Sequence, residues 1–207
     1  MLSLEELKIF LNITGTEQDS FLMNIIDMTV ARINNLCRRD IDYGVRYDML
    51  DGNSQNLIWL KNYPVERIVY IYYRKETGSF DYDLFDGGSV ADNTYVEKIS
   101  GKLLLLNNYT LPAGYSNVQI KYYAGYFDNP PDPVNETPKD LKSIALMMSA
   151  EFFLKSFQDA GGEKSGRTGL ESFEHLVKEG TSESRIKYTF KEEDYEKLLQ
   201  KYKSLRL

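Results

Sequence analysis

Hydrophobic side chains in the first forty residues recur at steps of three and four, which is the period of amphipathic helices. Ser3 and Glu6 have the spacing of a capping box and predict the start of a first short helix. A second helix is predicted from Thr16 to about Arg38, and its apolar stripe must be buried against another element. Residues 1–42 are therefore predicted to supply two N-terminal helices of a helical core.

Apolar and polar positions alternate over residues 43–127, where turn residues also follow at short intervals. Val65–Tyr73 is β-branched and aromatic on both faces, as expected of a central strand. Ser100 and Gly101 join two further strands in a predicted hairpin. About five or six strands are expected, enough for a small sheet or sandwich with one solvated face. This segment is predicted to be a β-rich insert.

The helical pattern returns within residues 128–158, after a proline-rich loop. Thr137, Pro138 and Asp140 predict the start of a helix that is apolar over much of its circumference and buried on more than one side. Glycine, lysine and serine are frequent in residues 159–182, which predicts a flexible linker. The pattern thus predicts the α+β class, with a helical core of two N-terminal helices and a central helix around the β-rich insert.

The last segment, residues 183–207, is predicted to be a C-terminal docking arm with a short strand over 183–190 and a final helix. Such a small unit cannot bury its apolar side chains alone, so it must dock on its own core or on another chain. In the first case Tyr195, Leu198 and Leu199 complete the intramolecular core. In the second case the predicted partner contacts are Ile186, Tyr188, Phe190, Tyr195, Leu198, Leu199 and Tyr202.

The composition of the chain argues against several classes of function. The 207 residues include 25 Lys and Arg against 31 Asp and Glu, and the formal net charge of -6 argues against general binding to nucleic acid. A single cysteine, Cys37, and a single histidine, His175, exclude an intramolecular disulfide and zinc sites built from several such ligands. Apolar runs are too short to span a bilayer and no signal peptide is recognised, so we expect synthesis in the cytoplasm and no membrane partner.

The sequence predicts no catalytic, cofactor-binding or metal-binding residue. Asp81, Asp83 and Asp86 are spaced somewhat like calcium ligands, but the glycine that follows is one position late for such a loop. A solvated loop is the preferred interpretation there. The chain is therefore predicted not to be an enzyme, and no cofactor is expected.

Several strings, taken in their order and spacing, resemble the head-to-tail connector, adaptor or head completion proteins of tailed bacteriophages and related prophages. The most specific is Tyr123-Ala124-Gly125-Tyr126 at the end of a strand, followed by a proline-containing loop and Pro138-Lys139-Asp140-Leu141-Lys142. The others lie in residues 4–13, 33–40, 57–68, 186–190 and 195–202. The resemblance extends over nearly the whole chain, although the linker is longer than such proteins usually have.

This resemblance implies a structural virion protein at the head-to-tail interface, made in the host cytoplasm. It implies a ring, usually of twelve copies, beneath the portal protein, with the C-terminal arm on the portal and a stopper or tail-completion protein on the opposite face. DNA would pass through the lumen without sequence-specific binding.

Two alternatives come from other classes. A non-catalytic β-rich binding module, such as a surface or polysaccharide-binding accessory domain, would use a platform of tyrosines at Tyr70, Tyr72, Tyr73, Tyr82 and Tyr95. The second alternative is an enzyme that acts through carboxylates. Metal binding by the aspartates of the 81–86 loop would favour this alternative.

Overall fold

The structure is a computed structural model, and it describes residues 1–75, 78–128, 130, 133–159 and 192–204. For residues 157–159 it describes only the backbone. The predicted linker from residue 160 onward and the predicted strand over 183–190 lie outside the described residues, as does His175. The described part confirms the α+β class. It divides into two compact units, of which the first combines Met1–Cys37 with the described residues of Pro138–Lys203 and the second contains Arg38–Thr137.

The first unit is helical. Its helices are α1 (Leu4–Phe10), α2 (Asp19–Cys37), α4 (Lys139–Asp159) and α5 (Glu192–Leu198), followed by a 3-10 turn at Gln200–Tyr202. The capping box predicted for α1 is present, since Ser3 Oγ accepts from the Glu6 amide at 3.2 Å and the Glu6 carboxylate accepts from the Ser3 amide at 3.0 Å.

Helix α2 begins at Asp19, three residues later than the pattern predicted. Thr16 instead opens a turn, because its carbonyl accepts a hydrogen bond from the Asp19 amide at 3.2 Å. Asp19 also forms an ion pair with Lys8 of α1, whose Nζ lies 2.6 Å from Oδ1. The ion pair joins the start of α2 to α1, a contact that local sequence does not reveal.

Helix α4 is the centre of the first unit, and it packs against α1 and α2 as the apolar pattern predicted. Phe153 lies in one apolar cluster with Leu7 of α1 and Leu22 of α2, while Thr29 and Ser149 share a buried hydrogen bond of 2.9 Å. Cys37 is buried at the end of α2, which makes it a structural side chain.

The second unit contains seven strands among its described residues, rather than the five or six expected. They are β1 (Gly44–Gly52), β2 (Leu57–Trp59), β3 (Val65–Tyr73), β4 (Tyr82–Asp83), β5 (Thr94–Glu97), β6 (Lys102–Leu105) and β7 (Gly114–Ala124), with a single-turn helix α3 (Val90–Asn93) before β5. The large sheet has the order β1-β7-β3-β4 and the small sheet the order β2-β6-β5, and every pair is antiparallel.

The predicted hairpin at Ser100 and Gly101 is confirmed, because β5 pairs with β6 across it. The central position of β3, between β7 and β4, is also confirmed. Strands β1 and β2 follow each other in the chain but do not pair. Strand β2 pairs with β6 in the small sheet, and β1 pairs with the distant β7 in the large sheet. Strand partners this far apart are chosen by burial, which a local turn pattern does not contain.

The two sheets share one apolar core. Ile58 and Leu103 of the small sheet belong to the same buried cluster as Ile71, Val118 and Ile120 of the large sheet. Each sheet therefore has one face on this core and one face turned away from it. The two outer faces lie on opposite sides of the core.

Candidate interaction surfaces

The described residues contain no group of three or more His, Cys, Asp or Glu side chains placed to hold a metal ion. In the loop considered for calcium, Asp83 accepts hydrogen bonds from the amides of Phe85 at 3.1 Å and Gly87 at 3.0 Å, so its carboxylate fixes a turn. Among the described helices, none is long and apolar enough to cross a bilayer.

The outer face of the large sheet, called here the large-sheet face, carries nine side chains from β1, β3 and β7, and Asp83 of β4 lies opposite Tyr72 on the same face. The strand registers place on it Val45, Tyr47, Met49, Arg67, Tyr70, Tyr72, Gln119, Lys121 and Tyr123. Tyrosine, methionine and arginine are enriched in protein interfaces relative to other surfaces. The large-sheet face therefore has the composition of a contact surface.

Strand β1 reverses the usual arrangement of apolar and polar side chains. Tyr47 is 55% exposed and Met49 is 53% exposed, while Asp48 between them is buried. The Asp48 carboxylate accepts a hydrogen bond from the Lys61 amide at 2.7 Å, and its charge adds to burial in raising the pKa of the Tyr122 hydroxyl. The carboxylate is thus partnered inside the unit, and the apolar side chains are left in solvent.

The cations of the large-sheet face are held between aromatic rings. Lys121 Nζ lies 5.5 Å from the Tyr47 ring centre and 5.7 Å from that of Tyr70, and its hydrogen bond with Tyr47 raises the pKa of the ammonium group. The Arg67 guanidinium lies 4.4 Å from the ring centre of Tyr123. Arg67 also forms an ion pair with Glu66 at 3.6 Å, so with Asp83 nearby the large-sheet face carries charges of both signs.

The outer face of the small sheet, called here the small-sheet face, is a second exposed aromatic surface. Its strand registers place on it Leu57, Trp59, Tyr95, Glu97, Lys102 and Leu104. Trp59 is 42% exposed and Tyr95 is 61% exposed, and Lys102 Nζ lies 6.0 Å from the Trp59 ring centre. Glu97 lies opposite Lys102 in the strand register, so the small-sheet face also carries charges of both signs.

The structure does not bring the five tyrosines of the binding-module alternative onto one surface. Tyr70 and Tyr72 stack on the large-sheet face with ring centres 4.3 Å apart. Tyr73 points to the other side of β3, where it packs against the core and stacks on Tyr82. Tyr95 lies on the small sheet. A single tyrosine platform is therefore absent from these five residues, because the side chains of a strand alternate between its faces.

The sequence string most specific to the family resemblance has a structural role. At the end of β7 the Gly125 amide donates to the Pro64 carbonyl at 2.9 Å, and the buried Asn135 amide group donates to the carbonyls of both residues. Gly125 has φ of +110°, and a side-chain Cβ there would lie 2.2 Å from the Asp42 carbonyl oxygen. Only glycine fits this junction.

The structure describes four of the seven predicted contact residues of the arm. Ile186, Tyr188 and Phe190 lie outside the described residues. Tyr195, Leu199 and Tyr202 are buried within the first unit, as in the alternative where the final helix completes its own core. Leu198 is 44% exposed and is the described member of the set available to a partner.

Two hydroxyl groups fasten α5 and the following turn to α4. Tyr195 donates to Glu151 at 2.9 Å, and Tyr202 donates to Asp140 at 2.8 Å. Burial raises the pKa of the Tyr195 hydroxyl, and the neighbouring Glu151 carboxylate raises it further, so the hydroxyl stays a donor. The arm helix is thus integrated into the first unit.

Contiguous exposed aromatic faces on two sheets indicate surfaces for contact with other molecules. Residues 1–169 match the model of a protein family described as head completion protein. The chain belongs to the head completion protein family. Membership confirms the resemblance found in the sequence and the prediction of a structural protein rather than an enzyme. A search of curated protein sequences gives no match.

Solved structures with a similar fold come from gene transfer agent (GTA) particles. One is a chain in the neck of the empty GTA particle computed with C6 symmetry, with a TM-score of 0.59 and 12% identity over 99% of this chain and 90% of that chain. A chain in the virion of the native particle has a TM-score of 0.59 and 13% identity over the same shares. A third, in the neck of the native particle computed with C12 symmetry, has a TM-score of 0.57 and 13% identity over 99% and 89%.

Proposed function

We propose that the chain is a neck adaptor, which forms a twelve-fold ring beneath the portal protein and joins the DNA-filled head of a phage-like particle to its tail. The observation that carries the proposal is the family match over residues 1–169. The fold likeness to chains of GTA necks, which extends over 99% of the chain, supports placing it in a neck. The C12 symmetry used for one of those necks supports the ring size.

The charge of the chain is compatible with this role. At a formal net charge of -6, a ring of identical copies would repel the phosphates of DNA in its lumen and let the duplex pass without sequence-specific binding. A strongly basic lumen would hold the duplex through released counterions and hinder its passage.

The C-terminal arm is our proposed portal contact. Since Tyr195, Leu199 and Tyr202 are buried in the first unit, we assign them to holding α5 in place. The portal contact then belongs to Leu198 and to the preceding predicted strand with Ile186, Tyr188 and Phe190. A strand of this kind can add to a sheet edge of the portal through main-chain hydrogen bonds. Twelve arms acting together would make the attachment far tighter than one arm alone. A stopper or tail-completion protein would bind the opposite face of the ring.

The test is the mass of the purified chain by light scattering, alone and mixed with the portal protein of the same particle. We expect a ring, or a complex with one adaptor for each portal subunit. Electron microscopy of the complex should show the adaptor on one end of the portal ring. A chain that stays monomeric alone and does not bind the portal protein would contradict the neck-adaptor role.

A further inference from the structure

An aspartate is followed directly by a glycine at two places in the chain, at Asp51 before Gly52 and at Asp86 before Gly87. In such a pair the glycine amide nitrogen can attack the side-chain carboxyl carbon of the aspartate and close a five-membered imide ring, because the glycine has no Cβ to hinder the approach. In a folded protein this reaction is controlled by how firmly the nitrogen and the carboxyl group are held. The two pairs differ in this respect.

The pair at the end of β1 is held on both sides. The Gly52 amide donates to Asn117 Oδ1 at 2.8 Å, and Asp51 Oδ1 accepts from the Ser116 amide at 2.6 Å. A Cβ on Gly52 would lie 1.5 Å from the Pro112 carbonyl oxygen, so the backbone has no room to rearrange. Ring closure there requires that these contacts break first.

The pair after β4 lies in an exposed loop and is held at one atom. Asp86 has φ of +48°, a left-handed conformation that is unfavourable for a residue with a Cβ. Its carboxylate forms no hydrogen bond or ion pair with a described residue. A Cβ on Gly87 would meet no atom within 4 Å, so the space for a ring is open. The restraint on this pair is the hydrogen bond from the Gly87 amide to Asp83 Oδ2 at 3.0 Å.

We propose that Asp86 is a site of spontaneous aspartyl isomerisation, and that Asp83 slows the reaction by holding the Gly87 amide. A bond forms between the Gly87 nitrogen and Asp86 Cγ, and the amide proton leaves with the carboxyl hydroxyl group as water. Water then adds at the main-chain carbonyl carbon of Asp86, and the bond from that carbon to nitrogen breaks. The product is isoaspartate, in which the chain runs through the former side chain. The overall mass is unchanged, and no oxidant or reductant takes part.

The reaction would alter a turn that the structure uses. It places one additional carbon in the backbone between Phe85, which is buried in the apolar core, and Gly87. The Asp83 carboxylate, which accepts from the amides of both residues, would lose this geometry. The inference goes beyond the neck-adaptor role and does not depend on it.

Peptide mapping of the aged, full-length chain tests the proposal. The protein is kept folded in warm, mildly acidic buffer and then digested, and isoaspartate peptides are separated by liquid chromatography and identified by mass spectrometry. We expect isomerisation at Asp86 to exceed that at Asp51 by at least about tenfold, because the hydrogen bonds at Asp51 must break first. In urea the two sites should react at similar rates, since the reacting pair is the same.

A substitution at Asp83 tests the proposed restraint. Asp83→Ala should raise the rate at Asp86 about fivefold, the factor expected for one lost hydrogen bond. Asp81→Ala removes another exposed carboxylate of the same loop and should leave the rate unchanged. Circular dichroism before and after incubation establishes that each variant stays folded.

A second pair of variants makes the ring closure visible as a change of charge. In Asp86→Asn the same attack releases ammonia instead of water, and hydrolysis of the ring then adds a negative charge that isoelectric focusing detects. Asp51→Asn is the matched control, because its amide oxygen can still accept from Ser116. We expect the charge change to accumulate in Asp86→Asn and not in Asp51→Asn.

Three results would overturn the proposal. Equal isomerisation at the two sites in the folded chain would show that the structure does not select between them. A folded chain with no isoaspartate at Asp86 after prolonged incubation, when the chain in urea has formed it, would show that the loop is protected. A wild-type rate in Asp83→Ala would overturn the role assigned to Asp83.

Discussion

At the residue scale, a buried pair of hydroxyl groups joins the two long helices of the first unit. Thr29 of α2 and Ser149 of α4 are fully buried and lie 2.9 Å apart. Removing one hydroxyl leaves the other without its partner inside the core, at a cost of about 1 to 3 kcal/mol. Removing both costs less than the sum of the two single changes, because no polar group is then stranded.

We therefore expect Thr29→Val and Ser149→Ala to lower the free energy of unfolding by about 1 to 3 kcal/mol each. The double variant should be close to the worse single one in urea denaturation. Ser143→Ala is the control, because that hydroxyl is exposed and donates to the Lys139 carbonyl of its own helix. Additive losses in the double variant would show that the two hydroxyl groups do not interact.

The stability of the first unit should also depend on the charge of one carboxylate. Asp140 accepts a hydrogen bond from Tyr202 at 2.8 Å and lies 2.5 Å from Lys201 Nζ. Burial raises the pKa of Asp140, but the bonds from Lys201 and Tyr202 outweigh burial and lower the pKa below its ordinary value of 3.8. The folded state therefore binds the proton less readily than the unfolded chain.

A lowered pKa means that the stabilisation is complete above the ordinary pKa and is lost as the pH falls through the lowered one. We expect Asp140→Asn to reduce the free energy of unfolding at neutral pH by up to about 1 kcal/mol, since the side chain is half exposed. The difference from wild type should shrink below pH 3.8 in urea titrations at several pH values. Asp27→Asn, an exposed change on α2, is the control. A difference that stays constant with pH would contradict the assignment.

Single residues also mark where the sequence could and could not predict the structure. Ser3 and Glu6 predicted their cap because a capping box is made within four neighbouring residues. The outward direction of Tyr47 and Met49 was not predictable, because it depends on Asp48 finding a buried partner in the distant Lys61 amide. Apolar residues alternating with charged ones predict which side chains share a face, but not which face is buried.

At the element scale, short-range connections were predictable and long-range pairings were not. The β5–β6 hairpin follows from a short local turn at residues 98–101, and the central position of β3 follows from its β-branched and aromatic side chains on both faces. The pairing of β1 with β7 joins strands separated by most of the insert, and it depends on the shared core. For the same reason the sequence missed the two outer faces as surfaces, since neither exists until the sheets have formed.

The end of helix α5 and the residue after it are two neighbouring leucines with different environments. Leu199 is fully buried in the first unit, whereas Leu198 is nearly half exposed. Leu199→Asp places an unpaired carboxylate in an apolar site and should lower the free energy of unfolding by about 3 to 5 kcal/mol. Leu198→Asp should change it by less than about 0.5 kcal/mol.

The proposed portal contact adds a second expectation for the same pair. Leu198→Asp, although stable, should weaken the complex with the portal protein in light scattering or co-sedimentation. Met28→Asp, at an exposed apolar position of α2, is the control and should bind normally. Full portal binding by Leu198→Asp would remove this residue from the proposed contact. A Leu199→Asp variant as stable as wild type would contradict the buried position of this side chain.

At the scale of the whole molecule, the chain is one unit inserted into another. The apolar cluster of the first unit combines Leu7 and Leu22 from before the insert with Phe153 from after it. The cluster of the second unit comes entirely from within residues 38–137. The helical unit therefore needs both ends of the chain to build its core, while the β unit draws its core from one continuous segment.

This asymmetry predicts that residues 38–137 fold alone. The fragment retains the shared core of both sheets and their strand pairs, so it should show a cooperative thermal transition and a free energy of unfolding of about 5 kcal/mol. Circular dichroism and urea denaturation measure both. Residues 1–37 alone should not show a cooperative transition, since α1 and α2 lose the contacts that α4 supplies. A fragment 38–137 that unfolds without cooperativity would mean that the β unit depends on the helices for its stability, and that the two outer faces belong to a surface that forms only in the intact chain.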